Sequence, residues 1–269
     1  MAILTVSREF MSGGEEIAQA VAGELGYEYV DKDTILARIE SAGHRWKKAG
    51  EELDESPPTF WERYDWQYRG FVYLVESNIY EYAVKNNVVI MGRGANVILD
   101  GIAHVLKVRF IAPLDLRIKA AMSKQNVDKE TAEWLIATTD KRRANYVQSN
   151  FGKAWNDINR YDLVINTAIQ SQEQAKQMIS DALNDKDKLI TDEVRKELEG
   201  RALAARIKAK VFSHPALHVP TLKVTFTGDA VLLKGVVSIK EHHLVQELAK
   251  EIAGAVPTKF DLHYRGNLI

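Results

Sequence analysis

The sequence predicts an α/β domain followed by a small α+β domain. Three observations carry that expectation. Short apolar runs alternate with helical patterns over the first two thirds of the chain, as in a parallel sheet with helices on both faces. The composition changes near Asn184, where "NDKDKLITDE" (184–193) reads as a charged connector. Beyond it the pattern runs helix, strand, strand, helix, strand. The 269 residues suffice for two such domains, and the expected division is 1–185 and 186–269.

Each element follows from its local pattern. Ile3–Val6 is a short apolar run and reads as a buried strand. A glycine-containing loop follows it. Ala18, Val21, Ala22 and Leu25 then recur at the spacing of one helical face, and Gly26 stops that helix. "YEYV" (27–30) reads as a second strand. Residues 34–86 read as mostly helical and unusually aromatic, with a turn at "SPP" (56–58). "NVVIMGRG" (87–94), "VLKVRFIAP" (105–113) and "YDLVINTA" (161–168) read as three further buried strands. In the second domain Leu222, Val224 and Phe226 share one strand face, and "AVLLKGVV" is the expected hairpin partner. Ser238 and Glu241 form a capping-box pattern opening a helix whose buried stripe is Leu244, Leu248 and Ile252. "KFDLHYR" (259–265) alternates as a last strand.

Composition excludes several classes of function. A formal net charge of −1 gives no sign of a nucleic-acid-binding protein. With no cysteine, disulfides, zinc ribbons and thiol catalysis are ruled out. No signal-peptide pattern opens the sequence, and no apolar run approaches the ~20 residues of a membrane span. A cytoplasmic location is the expectation. The acidic "DKD" (185–187) lacks the glycine and closing glutamate of a calcium loop. The histidine pairs His214/His218 and His242/His243 lack a third ligand, so no metal site is expected from them.

The chemistry-bearing segment is "SREFMSGGEEIA" (7–18), an apolar strand, a glycine turn and a helix. Free N–H groups and the dipole of a first helical turn attract anions, and Gly13 and Gly14 let the backbone curl toward one. A plain strand-to-helix turn accounts for these residues equally well. Two further segments favour a ligand. Arg93 lies in "GRG" at the C-terminal end of a strand, the sheet edge where ligands bind, and can fork onto a phosphate or base carbonyl. Arg142 and Arg143, in "DKRRANY" (140–146), can neutralise the oxygens of a transferring phosphoryl group from a mobile helical lid.

Taken with "YEYVDKD", "GRGANVIL", "FIAPLDLRI" and "RYDLVINT", these motifs resemble the cytidylate kinase-like family of P-loop nucleoside monophosphate kinases. The likeness spans residues 1 to about 183, in order and spacing. It implies a five-stranded parallel sheet with a monophosphate-binding insertion and an arginine lid. It also implies transfer of the ATP γ-phosphoryl group to CMP or a related monophosphate, with Mg²⁺. By position, Ser12, Gly13 and Gly14 would cradle donor phosphates. Asp31 and Arg93 would face the acceptor, Arg142 and Arg143 would belong to the lid, and Asp140 would help fix it.

The sequence departs from the P-loop pattern at several points. Arg8 stands at the first glycine, Gly14 at the lysine, and Glu15 at the metal-binding hydroxyl. Met11 replaces a family glycine, and Gly94 the aspartate of Gly-Arg-Asp. A carboxylate at Glu15 would repel a triphosphate, unless it points outward, Arg8 supplies the missing cation, or Glu16 binds metal or its water. An active kinase and a degenerate nucleotide- or phospho-ligand-binding regulator therefore both remain open. Asp31 and Asp33 also read as a helix-entry cap, with Asp33 before Thr34. The aromatic run 60–82 reads as core or interface, including an interface between copies of the chain, before it reads as a base-stacking platform. Residues from about 190 to 266 resemble a BON domain through "VTFTGDAVLLKGVVSIKEHHLVQELAKEIAGAV" and "KFDLHYR", with Gly235 as the family's strand glycine. That likeness implies a protein or phospholipid partner and no catalysis.

Overall fold

The computed structural model describes residues 1–40 and 65–265. The expected "SPP" turn and the start of the aromatic run, 60–64, lie outside the described residues. The described chain groups into two compact units, one of residues 1–35 and 85–190, the other of 36–40, 65–84 and 191–265.

The first unit is organised by β1 (Ile3–Arg8), β2 (Glu28–Val30), β3 (Val88–Met91), β4 (Val105–Ile111) and β5 (Leu163–Asn166). They form a five-stranded sheet in the order β2-β3-β1-β4-β5, and every pairing is parallel. Helix α1 (Gly14–Leu25) follows β1 directly, and α2 (Lys32–Glu40) follows β2. Ile3 and Leu4 are fully buried because helices cover both sheet faces. Ala18, Val21 and Ala22 of α1 pack in the same core as Phe110 and Ile165, with Leu25 at its margin. Gly26 ends α1 at φ 65°, a left-handed turn that glycine adopts without penalty. β1 lies between β3 and β4, so the strand order reverses there. A crevice opens at such a reversal, at the C-terminal strand ends. The loop after β1 occupies that place.

Helix α3 (Trp66–Lys85) precedes β3, and the single-turn α4 (Ala95–Ile98) follows it. α5 (Leu114–Gln125) and α6 (Lys129–Phe151) follow β4 and form a helical pair, with the Asp128 side chain capping α6 by accepting from Thr131 N–H. α7 (Gln172–Asp187) completes the first unit and opens on a capping box of Ser171 and Gln174.

The second unit contains α8 (Asp192–Ser213), β6 (Lys223–Phe226), β7 (Val231–Val237), α9 (Ile239–Ala253) and β8 (Thr258–Tyr264), the element order expected from the pattern. Its sheet runs β6-β7-β8, the first pair antiparallel and the second parallel. The capping box of Ser238 and Glu241 forms at the start of α9. A Cβ on Gly235 would lie 3.2 Å from Leu222 Cα, so the missing side chain does admit close approach. The described part of the aromatic run is core. Tyr68, Phe71, Tyr80 and Tyr82 are buried, and Trp66 stacks on Phe212 at 4.3 Å between ring centres. Among the described residues no helix is long and apolar enough to cross a membrane.

Candidate functional site

The loop between β1 and α1 is held from several sides. Glu9 N–H donates to Phe110 O at 3.0 Å, and Ser12 N–H donates to Glu9 O at 3.2 Å. Thr167 Oγ1 donates to Ser12 O at 2.7 Å. The Asp140 carboxylate accepts from Phe10 N–H at 2.8 Å and from Arg117 Nη1 at 2.6 Å. Arg143 Nη1 donates to Arg8 O at 2.8 Å. The Glu9 carboxylate accepts from Ala112 N–H at 3.2 Å and faces Arg117 at 3.6 Å. These bonds tie the loop to β4, α5, α6 and the end of β5, so its peptide groups are fixed before any ligand arrives.

Gly13 is the N-cap of α1 at φ 77°, and no side chain among the described residues caps the helix. The first-turn N–H groups therefore face outward, where an anion can accept from them. They open onto a cleft of about 250 Å³ whose lining includes Arg8, Ser12, Gly13, Gly14, Glu15, Glu16, Lys124 and Arg143. The Ser12 hydroxyl and Arg8 Nε are buried there without a hydrogen-bond partner among the described residues.

Charges in the cleft come in pairs. Arg8 Nη2 lies 3.4 Å from Glu15 Oε2, and Lys124 pairs with Glu16. Burial works against the ionised form of Glu16, but hydrogen bonds from Lys124 and the backbone outweigh it and hold the carboxyl below its ordinary range. Burial, then the neighbouring Arg8 charge, push Arg143 down to about 10, so it stays a cation at neutral pH.

Two departures from the P-loop pattern have a steric cause. A Cβ on Gly14 would sit 2.6 Å from the fully buried Phe110 ring. One on Gly94 would overlap the Phe151 ring, at a backbone φ of 73° that side chains rarely adopt. Aromatic rings occupy the space that a lysine and an aspartate would need. Met11, at φ 61°, holds the left-handed conformation that a glycine would adopt freely.

The other expected residues are distributed as follows. Arg93 lies outside the cleft lining, at φ 53°, with its guanidinium 5.6 Å from the Tyr146 ring centre. Burial lowers its pKa, against the opposing influence of Tyr146 and Asp33. Asp31 is the α2 cap, accepting from Thr34 N–H at 2.9 Å and Thr34 Oγ1 at 2.8 Å. The expected cap at Asp33 is thus moved to Asp31, whose carboxylate stands three residues before the N–H it captures. Burial opposes Asp31 ionisation, and these bonds outweigh it and lower its pKa. Arg142 is exposed and does not line the cleft, whereas Arg143 does. Successive helical residues point about 100° apart, so Arg143 turns toward the cleft and Arg142 away from it. Sequence reading missed Lys124, Arg117 and Thr167. The stretches "FIAPLDLRI" and "RYDLVINT" contain Arg117 and Thr167 without marking either as functional, Lys124 lies in no motif, and only packing of their elements brings the three to the loop.

The model of the cytidylate kinase-like family matches residues 3–169. The chain belongs to the cytidylate kinase-like family. Cytidylate kinases of Methanocaldococcus jannaschii and Pyrococcus horikoshii are 24% and 25% identical to it, covering 68% and 73% of this chain and 97% and 96% of their own lengths. A structure of an uncharacterized protein from Eubacterium ventriosum superposes with a TM-score of 0.54 at 21% identity, over 68% of this chain and 99% of that one, a likeness of fold. A 100-residue stretch is 32% identical to a uronate isomerase of Corynebacterium glutamicum, but the chain spans only 19% of that protein. For a member of the cytidylate kinase-like family, the loop, the cleft and the inward arginine stand on the sheet edge where the fold places ligands.

Proposed function

We propose that domain 1–185 transfers the γ-phosphoryl group of ATP to CMP or a related nucleoside monophosphate. The observation that carries the reading is the convergence of the first-turn N–H groups with Arg8, Lys124 and Arg143 on one cleft. Ser12, Gly13 and Gly14 would hold the donor phosphates. Arg143 would neutralise the transferring group, with Asp140 keeping its helix on the loop. Arg93 and Asp31 would serve the acceptor side, and Arg142 would act only if the lid moves. An acceptor phosphate oxygen bonds to the γ-phosphorus as its bond to the β-phosphate oxygen breaks, and ADP leaves. Little covalent chemistry falls to the protein, whose task is positioning and charge neutralisation.

The donor set suits Mg²⁺ held largely through the nucleotide. Magnesium takes one or two carboxylates and fills its remaining positions with phosphate and water. Among the described residues no cluster of three acidic or histidine groups forms a dedicated cage, and Glu15 is a half-exposed carboxylate lining the cleft. When bound, the ion would neutralise phosphate charge.

A coupled assay of ADP formation with Mg-ATP and CMP, dCMP, UMP or AMP tests the proposal. Turnover with CMP is expected, and no turnover with any monophosphate would overturn it. The second reading, a binding regulator without transfer, is favoured by the Glu15 and Glu16 carboxylates lining the cleft. One such charge about 5 Å from a phosphate repels it by roughly 3 kcal/mol at effective permittivity ~20, less with a half-exposed side chain. On that reading Glu15→Arg tightens triphosphate binding without creating turnover.

Residues 186–269 are read as a BON-like module that binds a protein or phospholipid partner. The helix, strand, strand, helix, strand order and the close approach at Gly235 support this. Co-sedimentation of the full chain with anionic phospholipid vesicles tests the lipid arm, and absence of binding leaves the protein arm.

A further inference from the structure

We propose that Lys124, in the last turn of α5, binds the donor phosphates in place of the loop lysine that this chain lacks. The inference rests on the phosphotransferase reading above and names the group that completes its donor site.

The loop cannot carry the lysine itself. Any side chain at Gly14 would meet the Phe110 ring at 2.6 Å, and that ring is fully buried in the sheet core. A cation for the donor phosphates must therefore come from another element. Among the described residues, three basic side chains line the cleft. Two are already fixed by the protein. The Arg143 guanidinium donates to Arg8 O at 2.8 Å. Arg8 lies 3.4 Å from Glu15, and its Nη1 would stand 2.9 Å from a Cβ on Gly92, so it is packed against that glycine.

Lys124 differs from both. Its side chain is 51% exposed, and its partner among the described residues is Glu16, itself 50% exposed in the first turn of α1. A solvent-exposed pair of this kind holds weakly. The lysine stem is flexible and ends in a compact charge with three donors, a phosphate-binding group that needs no fixed fork. Glu16 keeps the ammonium beside the first-turn N–H groups, and a phosphate entering the cleft offers it more negative charge than one carboxylate does. Lys124 then exchanges Glu16 for the ligand. Glu16 thus acts as a placeholder that competes with the ligand for the same cation.

The competition predicts opposite effects from breaking one pair at its two ends. The test is calorimetric titration of the full chain with a non-hydrolysable ATP analogue and Mg²⁺, and separately with CMP. Lys124→Met should weaken analogue binding by about tenfold or more, the worth of one hydrogen bond to a charged group. CMP binding should be unchanged. Lys124→Arg should restore most of the loss. Glu16→Gln should tighten analogue binding, because it releases the ammonium. A merely structural clamp between α5 and α1 would make both variants weaken binding, and that same-sign result would overturn the proposal. So would a Lys124→Met variant that binds the analogue as wild type does. Failure of the wild-type chain to bind any triphosphate would instead remove the phosphotransferase reading itself. Thermal unfolding of both variants controls for the lost ion pair, which they share and which therefore does not produce opposite binding effects.

Discussion

Replacing Gly14 by alanine tests whether the core, rather than drift of the motif, keeps lysine out of the loop. The added methyl would sit 2.6 Å from Phe110 Cβ, Cγ and Cδ2. Carbon atoms rest at about 3.5–4.0 Å, so the ring or the helix start must move by about 1 Å. Phe110 is fully buried in the core it shares with β1, α1 and α7 side chains. Overpacking of this kind costs about 1–3 kcal/mol. Alanine regains at most about 1 kcal/mol over glycine in a helix, and subtracting that full gain leaves a net loss of up to about 2 kcal/mol. Urea unfolding should show this as a lower midpoint at constant slope. Phe110→Ala alone should cost about 3–5 kcal/mol through its cavity, but the double variant should lose less than the sum, because the methyl then fills part of that space. Strictly additive effects in the double variant would refute the steric account. Gly14→Lys is expected to destabilise further and not to tighten triphosphate binding.

Further outcomes follow from the same geometry. Arg143→Ala should lower kcat at least ~100-fold in the coupled assay, as loss of a group neutralising transition-state charge does, while Arg142→Ala, exposed and outside the cleft, should change it far less. Equal losses would show that the lid turns. Asp140→Ala frees Phe10 N–H and leaves Arg117 with only Glu9 as a carboxylate partner among the described residues. It should cost about 1.5–3 kcal/mol in urea unfolding and raise KM for ATP. In the second unit, burial disfavours the charged form of Glu241, but hydrogen bonds from Ser238 and His218 N–H and the Arg265 charge outweigh it, so its folded pKa lies below 4.5. Its stabilisation is therefore fully present above 4.5 and lost as pH falls through the lower folded value. Glu241→Gln should cost roughly 1 kcal/mol at pH 7 and flatten the acid limb of the stability curve; an unaltered limb would remove the capping box from that account.

Local pattern made much of the chain legible. Apolar runs too short for helices marked β1, β3 and β4, because a parallel strand buried on both faces must be apolar throughout, whereas the edge strands β2 and β5, expected as short runs too, leave Glu28 and Val164 exposed. Ala18, Val21, Ala22 and Leu25 gave α1 its buried face, and Ser238 with Glu241 marked the start of α9. The loop's position was legible for the same reason, since a glycine turn between a buried strand and a helix has few places to go. Less legible was which residue caps α2. Asp31 and Asp33 both suit the task by type, and only the backbone path decides that Asp31 reaches Thr34.

By itself the sequence determined the order of elements, the glycine turn at Gly13 and the absence of a lysine at position 14. Those are properties of neighbours along the chain, where spacing alone sets which face a side chain takes. The tertiary structure decided which cations gather at that turn and why the lysine is absent. Phe110, Arg117, Lys124 and Thr167 all lie far along the chain from Gly14, and no periodicity links them to it. They meet the loop only because β4, α5 and the end of β5 pack around it, and packing depends on contacts between distant segments that local spacing does not encode.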